Sequence, residues 1–170
     1  MTEQRVEIHA YDPAWPQRFA AERPAVERTL APWLVGAVEH VGSTAVGGLA
    51  AKPVVDMLAG VRSLEESRPC IDLLSADGWC WAPYREEVEH WFCRPSPKHR
   101  THHLHVVEHA GQLWNDMLVF RDALRADEGL RDRYAELKRE LAEHHPNDRE
   151  AYTEAKAAFV EAAVAAARRA

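Results

Sequence analysis

The run Val54-Val55-Asp56-Met57-Leu58-Ala59-Gly60-Val61 constrains the fold of this chain more than any other segment. It opens on β-branched residues and is almost wholly apolar, the pattern of a central strand covered on both faces. It also carries a carboxylate, Asp56, at its centre. Burying that charge is costly unless a metal ion, a cation or hydrogen bonds hold it. Two readings are open: a functional acid inside the fold, or a strand-end Asp that reaches water or pairs with Lys52. Upstream, a predicted strand from Val35 to Val41 runs into Gly42-Ser43-Thr44. The hydroxyls and backbone N–H groups of that turn suit an anion, and the plainer reading is a strand-to-helix turn with a Ser or Thr cap. Lys52 follows Gly47 and Gly48, but it lacks the preceding Gly of a phosphate-binding loop. Pro53 also stands where Ser or Thr would hold magnesium, so Lys52 neutralises a phosphate or pairs with Asp56.

Further along, Thr101-His102-His103-Leu104-His105-Val106-Val107 alternates with period two, which predicts a strand with two unlike faces. Leu104 and Val106 face one way; His103, His105 and Val107 face the other. Two imidazoles on one face suit ligands of one metal, an acid/base pair or a structural role. His99, His102 and His109 are expected on the solvated surface.

At 170 residues the chain is long enough for one domain with a real core. Expected elements are an extended lead-in over 1–16, a helix over 17–30 stopped by Pro32, a helix over 63–76 capped by Ser63 and Glu66, and strands at 79–84 and 90–94. Beyond Gln112 the pattern is helical. Trp114, Met117, Leu118 and Leu124 form one stripe, Leu130, Tyr134, Leu137 and Leu141 a second, and a last helix is capped by Asn147 with Glu150. Strands in the first two-thirds and helices in the last predict an α+β fold: an α/β core over 1–111 and C-terminal helices over 112–170. The helical third repeats one spacing, Arg131/Tyr134/Lys138 and Arg149/Tyr152/Lys156, which puts two cations and a phenol on one helix face each time. Either these stripes build a positive wall for an anionic ligand, or the tyrosines seal the core edge while the cations meet nearby acids. Arg121-Asp122 is expected to pair locally or to help orient its helix, and the six Trp residues to be mostly core, with Trp91 or Trp114 able to wall a base pocket.

A net charge of −6 argues against a general nucleic-acid or anionic-membrane surface. Cys70, Cys80 and Cys93 show neither CxxC nor zinc-finger spacing. Together with a polar N-terminus this predicts free thiols and a cytoplasmic setting.

Taken together, Glu39-His40-Val41-Gly42-Ser43-Thr44, Gly48 to Asp56, His102 to Val107, Phe120-Arg121-Asp122, Tyr134 to Lys138 and Arg149 to Lys156 resemble the GrpB family from about Val6 to Ala166. The resemblance implies a nucleotidyltransferase-like mixed sheet with flanking helices, a C-terminal helical region and a pocket between them. It implies a phosphate or nucleotide ligand held by Gly42, Ser43, Thr44, Lys52, Arg131, Tyr134, Lys138, Arg149, Tyr152 and Lys156, with Asp56, His103 and His105 as metal ligands or acid/base groups. Similar domains occur fused to dephospho-CoA kinase, which implies a protein partner and a helper role as the alternative. The departure is Leu58, which stands where active nucleotidyltransferases carry a second carboxylate, two residues after the first. A mixed Asp/His set of this kind favours zinc, manganese or nickel over the magnesium of the wider superfamily.

Overall fold

A computed structural model describes residues 5–170; residues 1–4 of the expected lead-in lie outside that range. The elements are α1 (Ala14–Leu30), β1 (Glu39–Val41), β2 (Val55–Val61), α2 (Cys70–Ala76), β3 (Cys80–Ala82), β4 (Glu89–Pro95), β5 (Arg100–Glu108), α3 (Gln112–Ala126), α4 (Glu128–His144) and α5 (Arg149–Arg169). The strands form one sheet in the order β1-β2-β5-β4-β3. The β2–β5 pair is parallel and the other pairs are antiparallel. The fold is therefore the expected α+β arrangement with a mixed sheet.

Alternation along the central strands divides the molecule. Met57, Ala59, Leu104, Val106 and Phe92 point to one face, where Trp15, Val26, Leu30, Cys70 and Leu74 of α1 and α2 cover them. Each such side chain taken fully out of water contributes about 1.5–3 kcal/mol. On the opposite face, Leu58 packs with Val41, Val107 and Trp114 under α3. A third cluster, Val46, Leu49, Leu124, Tyr134 and Ala135, joins the segment after β1 to α3 and α4. Asp56, His103 and His105 lie on this second face, next to the α3 cluster: Asp56 is paired with Val41 and His105 with Leu58.

Several expected boundaries shift for local reasons. The predicted strand over 35–41 is regular only from Glu39. Gly36 has φ +71°, and that positive φ takes the chain out of the ladder after a single bridge from Leu34 to Val61. The predicted helix over 63–76 begins only at Cys70. Pro69 has no N–H to continue a helix from upstream and instead precedes its first turn. The Ser63 hydroxyl nonetheless accepts from Glu66 N at 3.3 Å. Asp148, not Asn147, caps α5, accepting from Ala151 N at 2.9 Å. His102 is buried, because it shares the Leu104 face of β5; its ring meets the edge of Trp79. Trp114 belongs to the core, while Trp91 stands on the Asp56 face. The lead-in is pinned at two points, by paired backbone bonds between His9 and Ala51 and by Val6 N donating to Pro146 O at 2.8 Å.

Candidate functional site

Parallel register sets Asp56 beside His103 and Leu58 beside His105. One carboxylate oxygen, Asp56 Oδ1, thereby meets both imidazoles, His103 Nδ1 at 3.1 Å and His105 Nε2 at 3.3 Å. His105 is held from its other side, its Nδ1 lying 2.7 Å from Glu89 Oε2. Strand β4 completes the face with Trp91, which lies opposite His105 and has its ring centroid 5.0 Å from that of His103. The Asp56 carboxylate, a quarter exposed at the second position of β2, is held in hydrogen bonds to two histidines.

The electrostatics follow from this geometry. Burial alone would raise the Asp56 carboxyl, but hydrogen bonds and charge from His103 and His105 outweigh it and hold the group well below the usual carboxylate range. Burial opposes charge on His105 too; Glu89 and Asp56 reverse this and lift it to about 10. His103 has only Asp56 to offset burial, and its pKa falls. His103 Nε2 is buried with no hydrogen-bond partner among the described residues.

The Gly42 turn approaches Asp56 directly. Gly42 has φ +74°, and a Cβ placed on it would stand 2.5 Å from Asp56 Oδ2. Ser43 begins a single 3-10 turn, and its Oγ accepts from Lys138 Nζ at 3.0 Å. Lys138, 1% exposed, also donates to the Ala50 carbonyl and lies 4.7 Å from the centroid of the Tyr134 ring. The Tyr134 hydroxyl is itself paired with Ser43. Lys52 and Lys156 both lie over the Tyr152 ring, their Nζ atoms 4.7 and 4.4 Å from its centroid. Burial lowers all three amines, with repulsion from Lys156 adding to it at Lys138 and Lys52: Lys138 falls to about 6, Lys52 to about 7 and Lys156 to about 8. The Tyr152 hydroxyl is buried and has no hydrogen-bond partner among the described residues. Arg149, largely buried, lines a cavity of about 100 Å³ with Arg5, Glu7, His9, Lys52, Pro53 and Val54.

Two expected ligand groups turn elsewhere. The Thr44 hydroxyl is taken by His40 Nε2 at 2.9 Å, so it braces the turn. Arg131 closes the α3–α4 corner, donating to the carbonyls of Leu124 and Arg125 at 3.0 Å each. Arg121 pairs with Asp122, as expected, and also reaches Glu39 Oε2 at 2.8 Å, fastening α3 to β1. Sequence reasoning missed Glu89 and His40. Glu89 shares a face with Trp91 and Cys93 by alternation, the one signal that could have found it. His40, stacked on Phe19, is kept neutral by burial, which lowers it to about 4.

A family model described as GrpB protein matches residues 5–166. The chain belongs to the GrpB family. It is 40% identical over 156 residues to a UPF0157 protein of Pseudomonas aeruginosa, in an alignment covering 89% of this chain and 63% of that one. It is 32% identical over 165 residues to UPF0157 protein YqkA of Bacillus subtilis, covering 97% and 48%. The chain therefore spans less than two thirds of the length of these two relatives. With glutamate-rich protein GrpB of Alkalihalophilus pseudofirmus the identity is 35% over 152 residues, covering 86% and 87%. The crystal structure of conserved protein GrpB from Enterococcus faecalis matches with a TM-score of 0.86 at 30% identity, over 96% of this chain and 98% of that one. The GrpB fold of this chain thus gathers its polar groups into two sets joined at the Gly42 turn: Asp56 with its histidines, and Ser43 with the lysines.

Proposed function

We propose that this GrpB domain is a nucleotidyltransferase-like enzyme acting on a nucleotide or another phosphate-bearing small molecule. The observation that carries the reading is the convergence of Lys52, Lys138 and Lys156 from three separate segments. Burial lowers all three amines, and the charge of Lys156 further depresses Lys52 and Lys138. An anion among them relieves that repulsion and repays their desolvation. Gly42 and Ser43 hold the phosphate end, Lys52, Tyr152, Lys156 and Arg149 form the far wall, and Trp91 offers an aromatic surface beside His103.

A divalent metal fits the remaining set. Asp56, His103 and His105 each offer one donor atom within 4.8 Å of the others, and His103 Nε2 is a buried nitrogen without a partner among the described residues. Glu89 backs His105 in the way carboxylates orient metal-binding imidazoles. One oxygen and two nitrogens favour zinc, manganese or nickel over magnesium. When bound, such an ion supplies charge stabilisation at the phosphoryl oxygens. Asp56 and His105 fix the site, and Glu89 sets the tautomer of His105.

One observation favours the second reading, a non-catalytic helper module acting through a protein partner. Leu58, at the position of the second carboxylate, is fully buried against Val41, Val107 and Trp114, so an apolar cluster stands where a second metal-binding acid would be. No described helix is long and apolar enough to cross a membrane, and Cys70, Cys80 and Cys93 are free thiols, which supports a reducing, cytoplasmic setting.

The test is a thermal-shift screen of nucleotides, CoA precursors and phosphate compounds, each with and without zinc, manganese, nickel and magnesium. A ligand at about a hundred times its Kd adds roughly 2.7 kcal/mol, about 5–10 °C for a domain of this size. A metal-dependent shift that disappears in Asp56→Asn, together with turnover lost in the same variant, supports the enzyme. Binding without turnover supports the helper module. No shift with any compound overturns the phosphate site.

A further inference from the structure

We propose that Ser43 is a nucleophile toward phosphorus and that Lys138 is its general base, so that group transfer at this site passes through a covalent bond to Ser43 Oγ. The proposal rests on the phosphate-site reading and goes beyond it, since a cation that only holds phosphate needs no contact with the serine. Lys138 has that contact. Its Nζ sits 3.0 Å from Ser43 Oγ and donates to the Ala50 carbonyl. It is 1% exposed, and among the described residues no carboxylate lies within ion-pair distance of it. The groups acting on it electrostatically are Lys156, Lys52 and Arg139, all cationic, and Tyr134 and Ser43 lie against it.

These surroundings suit an amine better than an ammonium. A neutral amine has two N–H groups and one lone pair. Ala50 O takes one hydrogen, which leaves the lone pair free to face the Ser43 hydroxyl. A nucleophile beside a base that is oriented by a third group is the arrangement that activates serine. The Tyr134 ring, 4.7 Å from Nζ, favours the cation that forms once the proton has moved. Ser43 itself is only half-buried. Its neighbour Gly42 touches Asp56, which places the attacking oxygen next to the candidate metal centre.

The chemistry balances with a phosphoanhydride and an acceptor hydroxyl. Ser43 Oγ forms a bond to phosphorus while the anhydride P–O bond breaks, its electron pair leaving on the departing phosphate. The Ser43 proton passes to Lys138 Nζ. The acceptor hydroxyl, or water, then attacks phosphorus, the Oγ–P bond breaks, Lys138 returns its proton to Oγ, and the proton of the acceptor is released to solvent.

A fluorophosphonate probe tests the nucleophile without knowledge of the natural ligand: Oγ–P forms, P–F breaks, fluoride leaves with the bonding pair, and the proton goes to Lys138. Intact-mass and peptide mass spectrometry of the full chain should show one adduct, on Ser43, that is absent in Ser43→Ala. Lys138→Arg keeps a cation that cannot act as a base. It should label about 100-fold or more slowly than wild type. Wild type unlabelled at Ser43, or Lys138→Arg labelled at the wild-type rate, overturns the proposal, and the wild-type result decides even where a variant fails to fold. Labelling of Ser43 with no thermal shift from any phosphate compound instead retires the phosphate-ligand reading and leaves the nucleophile standing.

Discussion

Gly42 and Asp56 are packed so closely that a methyl group on the first would overlap the carboxylate of the second, with the added carbon 2.5 Å from Oδ2. The contact explains a glycine at that turn on two counts, since its φ of +74° is itself unfavourable for any residue with a side chain. It also means that the turn carrying Ser43 and the strand carrying Asp56 cannot move independently.

Gly42→Ala should therefore cost more than backbone strain alone. Strain at positive φ contributes about 1 kcal/mol or more, and the displaced carboxylate adds the weakening of its hydrogen bonds to His103 and His105. The expected outcome is a loss of about 2–4 kcal/mol in denaturant unfolding and, if the triad holds a metal, weakened metal binding. Unfolding within 0.5 kcal/mol of wild type, with metal binding intact, would show that the turn is free to shift.

Glu89→Gln separates metal positioning from fold. Glu89 is 3% exposed and accepts from His105 Nδ1, so the amide keeps shape and a hydrogen bond while removing the charge that raises His105. If the triad holds a metal, affinity for zinc should fall by about 10–100-fold, as when other carboxylates behind metal-binding histidines are removed. Competition with a chelating dye reads this directly. Unchanged affinity would remove Glu89 from the metal centre.

The sheet and the identity of its central acid were legible because strands β2 and β5 announce themselves, one by an apolar run and the other by strict alternation. What brings Asp56 to His103 is the parallel register of those strands, and nothing local in either segment specifies it. Glu89 was missed because it follows Arg85-Glu86-Glu87 and reads as the end of a charged connector. Its neighbours across the sheet, not along the chain, turn it inward. The two Arg/Tyr/Lys stripes show the same limit. Identical spacing puts Lys138 and Lys156 on helix faces that meet the Ser43 turn and Tyr152, yet Arg131, one turn before Tyr134, meets the end of α3 and is used to close that corner. Periodicity gives the face of a helix, but the neighbour that the face meets is set by the packing of α3, α4 and α5.

Lys138 also has a signature in stability. Its amine is lowered from the ordinary 10.5 to about 6 by burial, then by the charges of Lys156, Lys52 and Arg139. Between those values the unfolded chain binds more protons than the folded one, so this group destabilises fully below about pH 6 and ceases to do so as pH rises toward 10.5. His105 pulls the other way over much of that window, so the clean readout is a difference between two proteins. The Tm of Lys138→Met minus that of wild type should be most positive at pH 6 and fall through pH 9. The limiting slope is about 1.4 kcal/mol per pH unit, about 3–6 °C. A difference independent of pH would mean that Lys138 ionises normally in the folded protein.

Ligand binding should reverse the same electrostatics at the far wall. At pH 8 in the free protein, Lys52 is largely neutral and Lys156 about half charged, given folded-state values of about 7 and 8. A polyphosphate placed between them favours the charged form of both, so binding must take up protons. The phosphate groups are already ionised at that pH and have none to supply. Calorimetry with ATP at pH 8 in two buffers of different ionisation enthalpy counts those protons, and an uptake of about one per site is expected. Lys156→Met should lower the count and weaken binding together, because the same ammonium supplies both. Tight binding without proton uptake would place the phosphates away from Tyr152, and would leave the Lys52–Tyr152–Lys156 stack as a structural seal between α5 and the sheet.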